Sequence, residues 1–265
     1  MRGARCDDMT EARETELAFH ERRYADFMAL RYPQFWQRFG GVPDFAGKRV
    51  IDFGCARGGM LQRAMEAGAS SALGIDLNPD TIAFAKQTVE PRWDGRVQFL
   101  CEDIRKVEIE PADILVSVNT MEHVLDLKDT LAAVVDACKP GGELFIGFGP
   151  LWHSPFGHHR LIAPRMPWAH LPRQNRAFLG RLHDKDGNTP DSIEQMGFNG
   201  ATPADFRAAL EGLPVEIISS RRNVANGVIK GLAMKAFLAP SIIAPLEKYV
   251  TISIYWHLKR TKSQV

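Results

Sequence analysis

Apolar and polar positions along this chain follow two periods in turn. Residues 47–53, 71–76, 97–101, 112–118 and 143–148 hold short apolar runs of the kind that form buried strands. Between them, residues 61–66, 81–89 and 127–138 place apolar side chains at helical spacing, most clearly Leu127, Leu131, Val134, Val135 and Cys138. Strand and helix in alternation predict an α/β architecture built on a largely parallel sheet. Asn78-Pro79-Asp80 is a cap followed by proline at the first helical position. Lys139-Pro140-Gly141-Gly142 reads as a tight turn before the fifth strand. Thr202-Pro203-Ala204-Asp205 opens a helix running to about Glu211. Beyond it, residues 215–222 and 250–259 read as strands, 224–238 as helix and 240–248 as a broken helix or turn. Ahead of the first strand, residues 11–39 are rich in helix formers, with a rough apolar stripe at Leu17, Tyr24, Phe27 and Met28 and a break at Pro33. Residues 1–10 are expected to be disordered.

One segment departs from this rhythm. Residues 149–199 show poor periodicity and gather Trp152, His153, Phe156, His158, His159, Trp168, His170 and His183. So long a connection inside a compact domain is usually a lid or binding loop. It follows the carboxyl end of the fifth strand, the edge at which open α/β sheets bind ligands.

At that same edge, Val50-Ile51-Asp52-Phe53-Gly54-Cys55-Ala56-Arg57-Gly58-Gly59 reads as a strand running through a glycine-rich turn into a helix. Glycines there let backbone approach a ligand. Asp52 narrows the choice: a carboxylate two residues before the first glycine repels a pyrophosphate and attracts a ligand bearing a sulfonium and an ammonium. Asp76 closes the second strand, where a carboxylate can accept two hydrogen bonds from a ribose diol. Asn78 is the better helix cap, which leaves Asp76 for ligand.

These residues resemble the class I S-adenosylmethionine-dependent methyltransferases, whose first motif is close to Asp-x-Gly-x-Gly-x-Gly. Asp52, Gly54, Ala56 and Gly58 occupy those positions, with Ala56 in place of the middle glycine. The resemblance covers about residues 48–148 and includes Lys139-Pro140-Gly141-Gly142. It implies a Rossmann-like, seven-stranded, mostly parallel sheet with an antiparallel last strand inserted between the fifth and sixth, helices on both faces and a lid after the fifth strand. Residues 1–46 would be N-terminal helices covering the cofactor and 47–265 the methyltransferase domain, its substrate lid at about 149–199. S-adenosyl-L-methionine would be the cofactor, held by Asp52, Gly54, Cys55, Ala56 and Gly58 in the loop and by Asp76 and Leu77 after the second strand. Asp103 would take the adenine amino group and Ile104 would meet the ring, with Asn119 beside the methionine part.

Methyl transfer needs a nucleophile held in line, and a hydroxyl or protonated amine must also lose a proton. Histidine suits that role near neutral pH. His153 and His158 lie nearest the fifth strand, and His123 belongs to a Glu-His-Val run that resembles one found in small-molecule methyltransferases. No metal is expected at the His153, His158 and His159 cluster, because no carboxylate lies between Leu151 and Arg181. The expected acceptor is a small molecule, most plausibly at a hydroxyl oxygen; nitrogen or carbon acceptors, an NAD(P)-dependent oxidoreductase and a non-catalytic relative stay open.

Composition bounds the rest. The chain has 265 residues, 45% hydrophobic and 25% charged, with a net charge of +1, so nothing calls for a nucleic-acid surface. The four cysteines form no Cys-x-x-Cys pair, as expected of a cytoplasmic protein. No apolar run is long enough to span a membrane; peripheral membrane contact and oligomeric state stay open.

Overall fold

The computed structural model describes residues 6–157, 159, 167–168, 170–171, 192–224 and 234–262, with side chains from Thr15 onward. It divides into two compact units, Met1–Val116 and Ser117–Val265. Seven strands, β1 (Arg49–Phe53), β2 (Ser71–Asp76), β3 (Val97–Cys101), β4 (Ala112–Val118), β5 (Cys138–Phe148), β6 (Val215–Arg222) and β7 (Ile254–Arg260), run in the order β3-β2-β1-β4-β5-β7-β6.

The first unit opens with α1 (Cys6–Asp26), a π-helical turn (Phe27–Arg31) and α2 (Tyr32–Phe39). The helix therefore starts inside the stretch expected to be disordered. It also does not break at Pro33, which stands in the first turn of α2, where its missing N–H leaves no bond unmade. Phe27 of the π-helical turn packs on Gly59, where a Cβ would lie 2.6 Å from its Cδ1. Gly40, left-handed at φ 98°, ends α2.

β1 (Arg49–Phe53), α3 (Gly59–Glu66), β2 (Ser71–Asp76), α4 (Pro79–Thr88), β3 (Val97–Cys101) and β4 (Ala112–Val118) follow. β2 pairs in parallel with both β1 and β3. Val50, Ile51, Ile75, Val97 and Leu115 are fully buried in these strands, and α3 buries Met60, Leu61 and Ala64. Each such side chain contributes about 1.5–3 kcal/mol.

The second unit holds α5 (Leu127–Asp136), β5 (Cys138–Phe148), α6 (Pro203–Leu210), β6 (Val215–Arg222), α7 (Ala244–Val250) and β7 (Ile254–Arg260). β7 is antiparallel to both β5 and β6, the insertion the resemblance implies. Two boundaries differ from the sequence reading. Lys139-Pro140-Gly141-Gly142 is the first part of β5 rather than a separate turn; Gly141, at φ 85°, absorbs the bend. Val250 ends α7 rather than opening β7. α6 starts on the full capping box of Thr202 and Asp205.

α7 is tied down by charge and amide groups. The Glu247 carboxylate accepts from Arg207 at 2.8 and 2.6 Å and from Arg222 at 2.6 Å. Asn223, at φ 49°, donates to the Val250 carbonyl at 2.6 Å and accepts from the amides of Ile252 and Ser253. Among the described residues no helix is long and apolar enough to cross a membrane.

Candidate active site

The glycine turn of the first unit is built on backbone that ordinary residues avoid. Gly54 and Gly58 take φ 76°, and Ala56 takes φ 45°. The amides of Gly54 and Cys55 both donate to the Ile75 carbonyl, at 2.8 and 3.1 Å, tying the turn to β2. Gly58 then caps α3. Its missing side chain makes room from beneath: a Cβ there would lie 2.6 Å from Cζ of Phe99, and one at Gly74 would lie 2.5 Å from Cδ1 of the same ring. Two glycines thus seat one buried phenylalanine under the turn, a constraint the sequence pattern does not reveal. Cys55 is buried, its thiol pushed well up by burial and then by the charges of Asp52 and Asp76, so only its backbone is open to a ligand's charge.

Asp76 holds the turn as well as facing solvent. One carboxylate oxygen accepts from the Ala56 amide at 2.9 Å, the other from the Asn78 amide at 2.9 Å. Each oxygen keeps a second lone pair. Asn78 caps α4 through the amides of Asp80 and Thr81. Between these two polar residues Leu77 is 72% exposed, an apolar side chain set out beside a carboxylate. Asp103 is gripped by Arg105, whose Nε lies 3.0 Å and Nη2 2.6 Å from its oxygens. That grip holds the carboxyl below the usual range. The following Ile104 is buried.

Asp52 behaves unlike its neighbours. Only 3% exposed, it pairs with Gly74 across the β1–β2 register, and its Oδ1 is buried without a hydrogen-bond partner. Burial first, and then the charge of Asp76, push its carboxyl up to about 8. At neutral pH it is mostly a neutral acid, which weakens the repulsion of a pyrophosphate expected from sequence.

α1 lies against the same unit. The His20 ring stacks on Phe84 at 5.6 Å and its Nδ1 accepts from Nε of Arg57 at 2.8 Å, while the Tyr24 hydroxyl donates to Gln62.

In the second unit the chain after β4 is fixed by side-chain amides. Asn119 takes φ 53° and its amide donates to the Gly147 carbonyl at 2.7 Å. Asn199 donates to the carbonyls of Met121 and Val124, at 2.7 and 3.0 Å. Between these anchors the 3-10 turn Met121–His123 presents two ionisable groups. Glu122 is 2% exposed; its Oε1 accepts from the Gly149 amide at 3.1 Å and its Oε2 is buried without a partner. Burial raises its carboxyl, opposed by His123. The His123 ring donates through Nδ1 to the Gly197 carbonyl. It packs edge-on to His159 at 5.3 Å, with Phe198 at 5.3 Å.

The other histidines divide by place. His153 is half-buried beside Tyr249, and burial followed by the charge of Lys248 lowers it, so it is neutral at pH 7. His170 is fully buried with Nε2 donating to the Trp152 carbonyl at 2.6 Å, a packing role. His158 lies outside the described residues. The described parts of 149–199 are partly core: Leu151, Trp152 and Phe198 are buried, and the Leu151 amide donates to the Ile252 carbonyl at 2.9 Å. Sequence reasoning missed Asn199 and the nearness of Glu122 to His159; nothing in their spacing announces either.

Residues 50–142 match the methyltransferase domain family. That match spans about a third of the chain, and the seven-stranded fold is similar to that of solved S-adenosylmethionine-dependent methyltransferases. The ubiquinone biosynthesis O-methyltransferase of Xylella fastidiosa (strain 9a5c) is 37% identical over 108 residues, 38% of this chain and 42% of that protein. The tRNA U34 carboxymethyltransferase of Azotobacter vinelandii is 32% identical over 116 residues, 42% of this chain and 35% of that protein. Among solved structures, the geranyl diphosphate C-methyltransferase of Streptomyces coelicolor A3(2) superposes with a TM-score of 0.57 at 14% identity, covering 89% of this chain and 82% of that one. The chain spans less than half the length of the curated relatives it matches.

Proposed function

We propose that this protein transfers a methyl group from S-adenosyl-L-methionine to a hydroxyl oxygen of a small molecule. The observation that supports the donor most directly is the orphaned Oδ1 of Asp52, buried under a turn whose backbone is held open by left-handed residues. A buried acid with no counter-ion among the described residues of its unit is costly unless a cation completes it. The ammonium and sulfonium of the donor fit that need. Asp76 keeps lone pairs for the ribose hydroxyls, Leu77 and Ile104 offer apolar surface to the adenine, and Asp103, already shared with Arg105, accepts from its amino group. Cys55, Ala56 and Gly58 contribute backbone, and Asn119 borders the methionine part.

When bound, the donor supplies a methyl already activated on a sulfonium, which departs as a neutral thioether. The protein's task is then to hold the acceptor oxygen in line and to remove its proton. His153 and His123 are the described candidates for that base, with His158 the third. A neutral imidazole takes the hydroxyl proton as the oxygen's electron pair forms the new bond to carbon. His153 is neutral at pH 7 and therefore competent.

The curated relatives support the oxygen acceptor, since several are O-methyltransferases of ubiquinone biosynthesis. They do not decide it: a carboxymethyltransferase of tRNA is similar over a comparable length, and that length is close to the 50–142 domain. The shared segment speaks for the donor. The acceptor is read from this chain's own second unit, whose histidines and aromatics suit a hydroxylated small molecule rather than nucleic acid. Cytoplasmic localisation is part of this reading, supported by Cys55 and Cys101, which form no disulfide among the described residues.

Calorimetry with S-adenosylmethionine, its demethylated product and NAD tests the donor, and labelled-methyl transfer to a panel of phenols and alcohols tests the acceptor. Binding of NAD in preference to the sulfonium donor overturns the reading.

A further inference from the structure

One turn of the second unit sets a run of apolar side chains out in solvent. Ile242 is 90% exposed and Ile243 57%, and Leu246 is exposed beside them. Pro240, Ala244 and Pro245 in the same run are exposed as well. Apolar side chains scattered singly over a surface need no explanation, whereas a contiguous group does. We propose that this turn, the 3-10 segment Ala239–Ile242 with the start of α7, docks on the surface of a bilayer that contains anionic phospholipid.

The turn is braced. Pro240 and Pro245 stand in the first turns of the 3-10 segment and of α7, where their fixed φ suits the backbone. The Ile243 amide donates to the Pro240 carbonyl at 3.0 Å, and the Leu246 amide donates to the Ile243 carbonyl at 2.8 Å. Directly after Leu246 comes Glu247, buried and held by Arg207 and Arg222. The two isoleucines are thus presented on backbone that is already ordered, so little entropy opposes their insertion.

Charge identifies the partner. Residues 217–265 contain eight lysines and arginines and one acid, Glu247, in a chain whose net charge is only +1. The preceding 216 residues, with 25 basic and 31 acidic side chains, are therefore acidic. Glu247 is already shared by Arg207 and Arg222, both of which stay partly exposed. Lys235 is exposed, and Nζ of Lys248 lies 5.1 Å from the centre of the Tyr249 ring. An aliphatic tip with a surplus of cations is the composition that seats at the boundary between anionic head groups and acyl chains. A second copy of this chain would bring two basic segments together. A protein partner is gripped chiefly by aromatic and arginine anchors fitted to pockets; the side chains at this tip are aliphatic, and hydrocarbon needs no shaped pocket to receive them. Among the described residues no helix is long and apolar enough to cross a membrane, so the contact proposed lies in the interface. It does not rest on the methyl-transfer reading.

The test mixes the full chain with vesicles of phosphatidylcholine alone and with vesicles of equal phosphatidylcholine and phosphatidylglycerol, in low and in high salt, and reads binding by co-flotation. Binding should be at least about 10-fold tighter to the anionic vesicles and should fall at least about 10-fold in high salt. Ile242→Ser combined with Ile243→Ser should weaken it at least about 10-fold, and Lys235→Ser about fivefold, with circular dichroism and melting temperature unchanged. Ile242→Trp reads insertion directly: the emission of the added indole should shift to the blue on anionic vesicles and be quenched by brominated acyl chains. No binding to anionic vesicles, or equal binding by the double isoleucine variant, overturns the proposal. An added indole that is not quenched overturns it even if the double variant fails to fold. A dimer that forms without lipid in sedimentation and is abolished by the isoleucine substitutions gives the face to a second copy and overturns it too.

Discussion

Replacing Asp52 by asparagine should make the protein more stable and a worse binder. The wild-type carboxyl titrates near 8 when folded, against an ordinary 3.8. An acid raised on folding is protonated in the folded chain and ionised in the unfolded one between those limits, so its contribution to stability falls as pH rises from about 4 to about 8. At pH 7 the penalty is about 4 kcal/mol, from 1.36 kcal/mol per pH unit. Asparagine removes the titration but buries an amide in a spot where Oδ1 already lacks a partner, which costs about 1–3 kcal/mol. The net expectation is a gain of about 1–3 kcal/mol without ligand, or roughly 3–10 °C in Tm for a chain of this size. The gain should grow with pH up to about 8 and then level off.

Binding should move the other way. At pH 6 the wild-type group is about 1% ionised and at pH 8 about half, so affinity for a cationic donor should rise roughly 50-fold across that range if the ligand selects the carboxylate. Any titration of the donor's own amine appears in both proteins and cancels in the comparison. Thermal melts and calorimetry of wild type and Asp52→Asn from pH 5 to 9 read both quantities. A variant less stable than wild type at pH 8, or identical pH dependence of donor affinity in the two proteins, refutes the reasoning.

Other substitutions separate the remaining parts. Asp76→Ala removes the proposed ribose acceptor and releases the Ala56 and Asn78 amides; donor affinity should fall at least about 10–100-fold by calorimetry, and an unchanged affinity excludes Asp76 from the site. Gly58→Ala drives a methyl against Phe99 and should cost about 2–3 kcal/mol in denaturant melts. Adding Phe99→Leu should recover part of that loss, and a double variant as weak as the sum of the singles counts against the clash. Glu247→Gln leaves Arg207 and Arg222 facing each other and should cost about 1–3 kcal/mol. Because Arg207 chiefly holds that carboxyl below its ordinary 4.5, the ion pair contributes fully above that value and fades as pH falls through the lowered one. Melts between pH 3 and 6 should therefore show a steeper loss in wild type than in the variant.

What the sequence disclosed and what it concealed divide along the reach of the physics involved. Parallel buried strands are contiguous apolar runs, so β1 to β4 could be read directly, as could the Asn78 cap, whose bonds span two and three residues. The extension of β5 back to Cys138 could not, because proline and glycine signal a turn locally. The site divides in the same way. Positions of the proposed cofactor residues follow strand ends, which are local. Their charge states do not: Asp52 and Asp76 stand close only because the β1–β2 register sets Asp52 opposite Gly74, and only that closeness and burial make Asp52 a neutral acid. Glu122 meets His159 for a similar reason, through a fold that returns the segment after β5 to the turn after β4. Chain spacing carries no trace of either meeting, so residue types at the right strand ends can suggest a ligand, while the protonation and pairing that decide how it is held emerge only from tertiary contact.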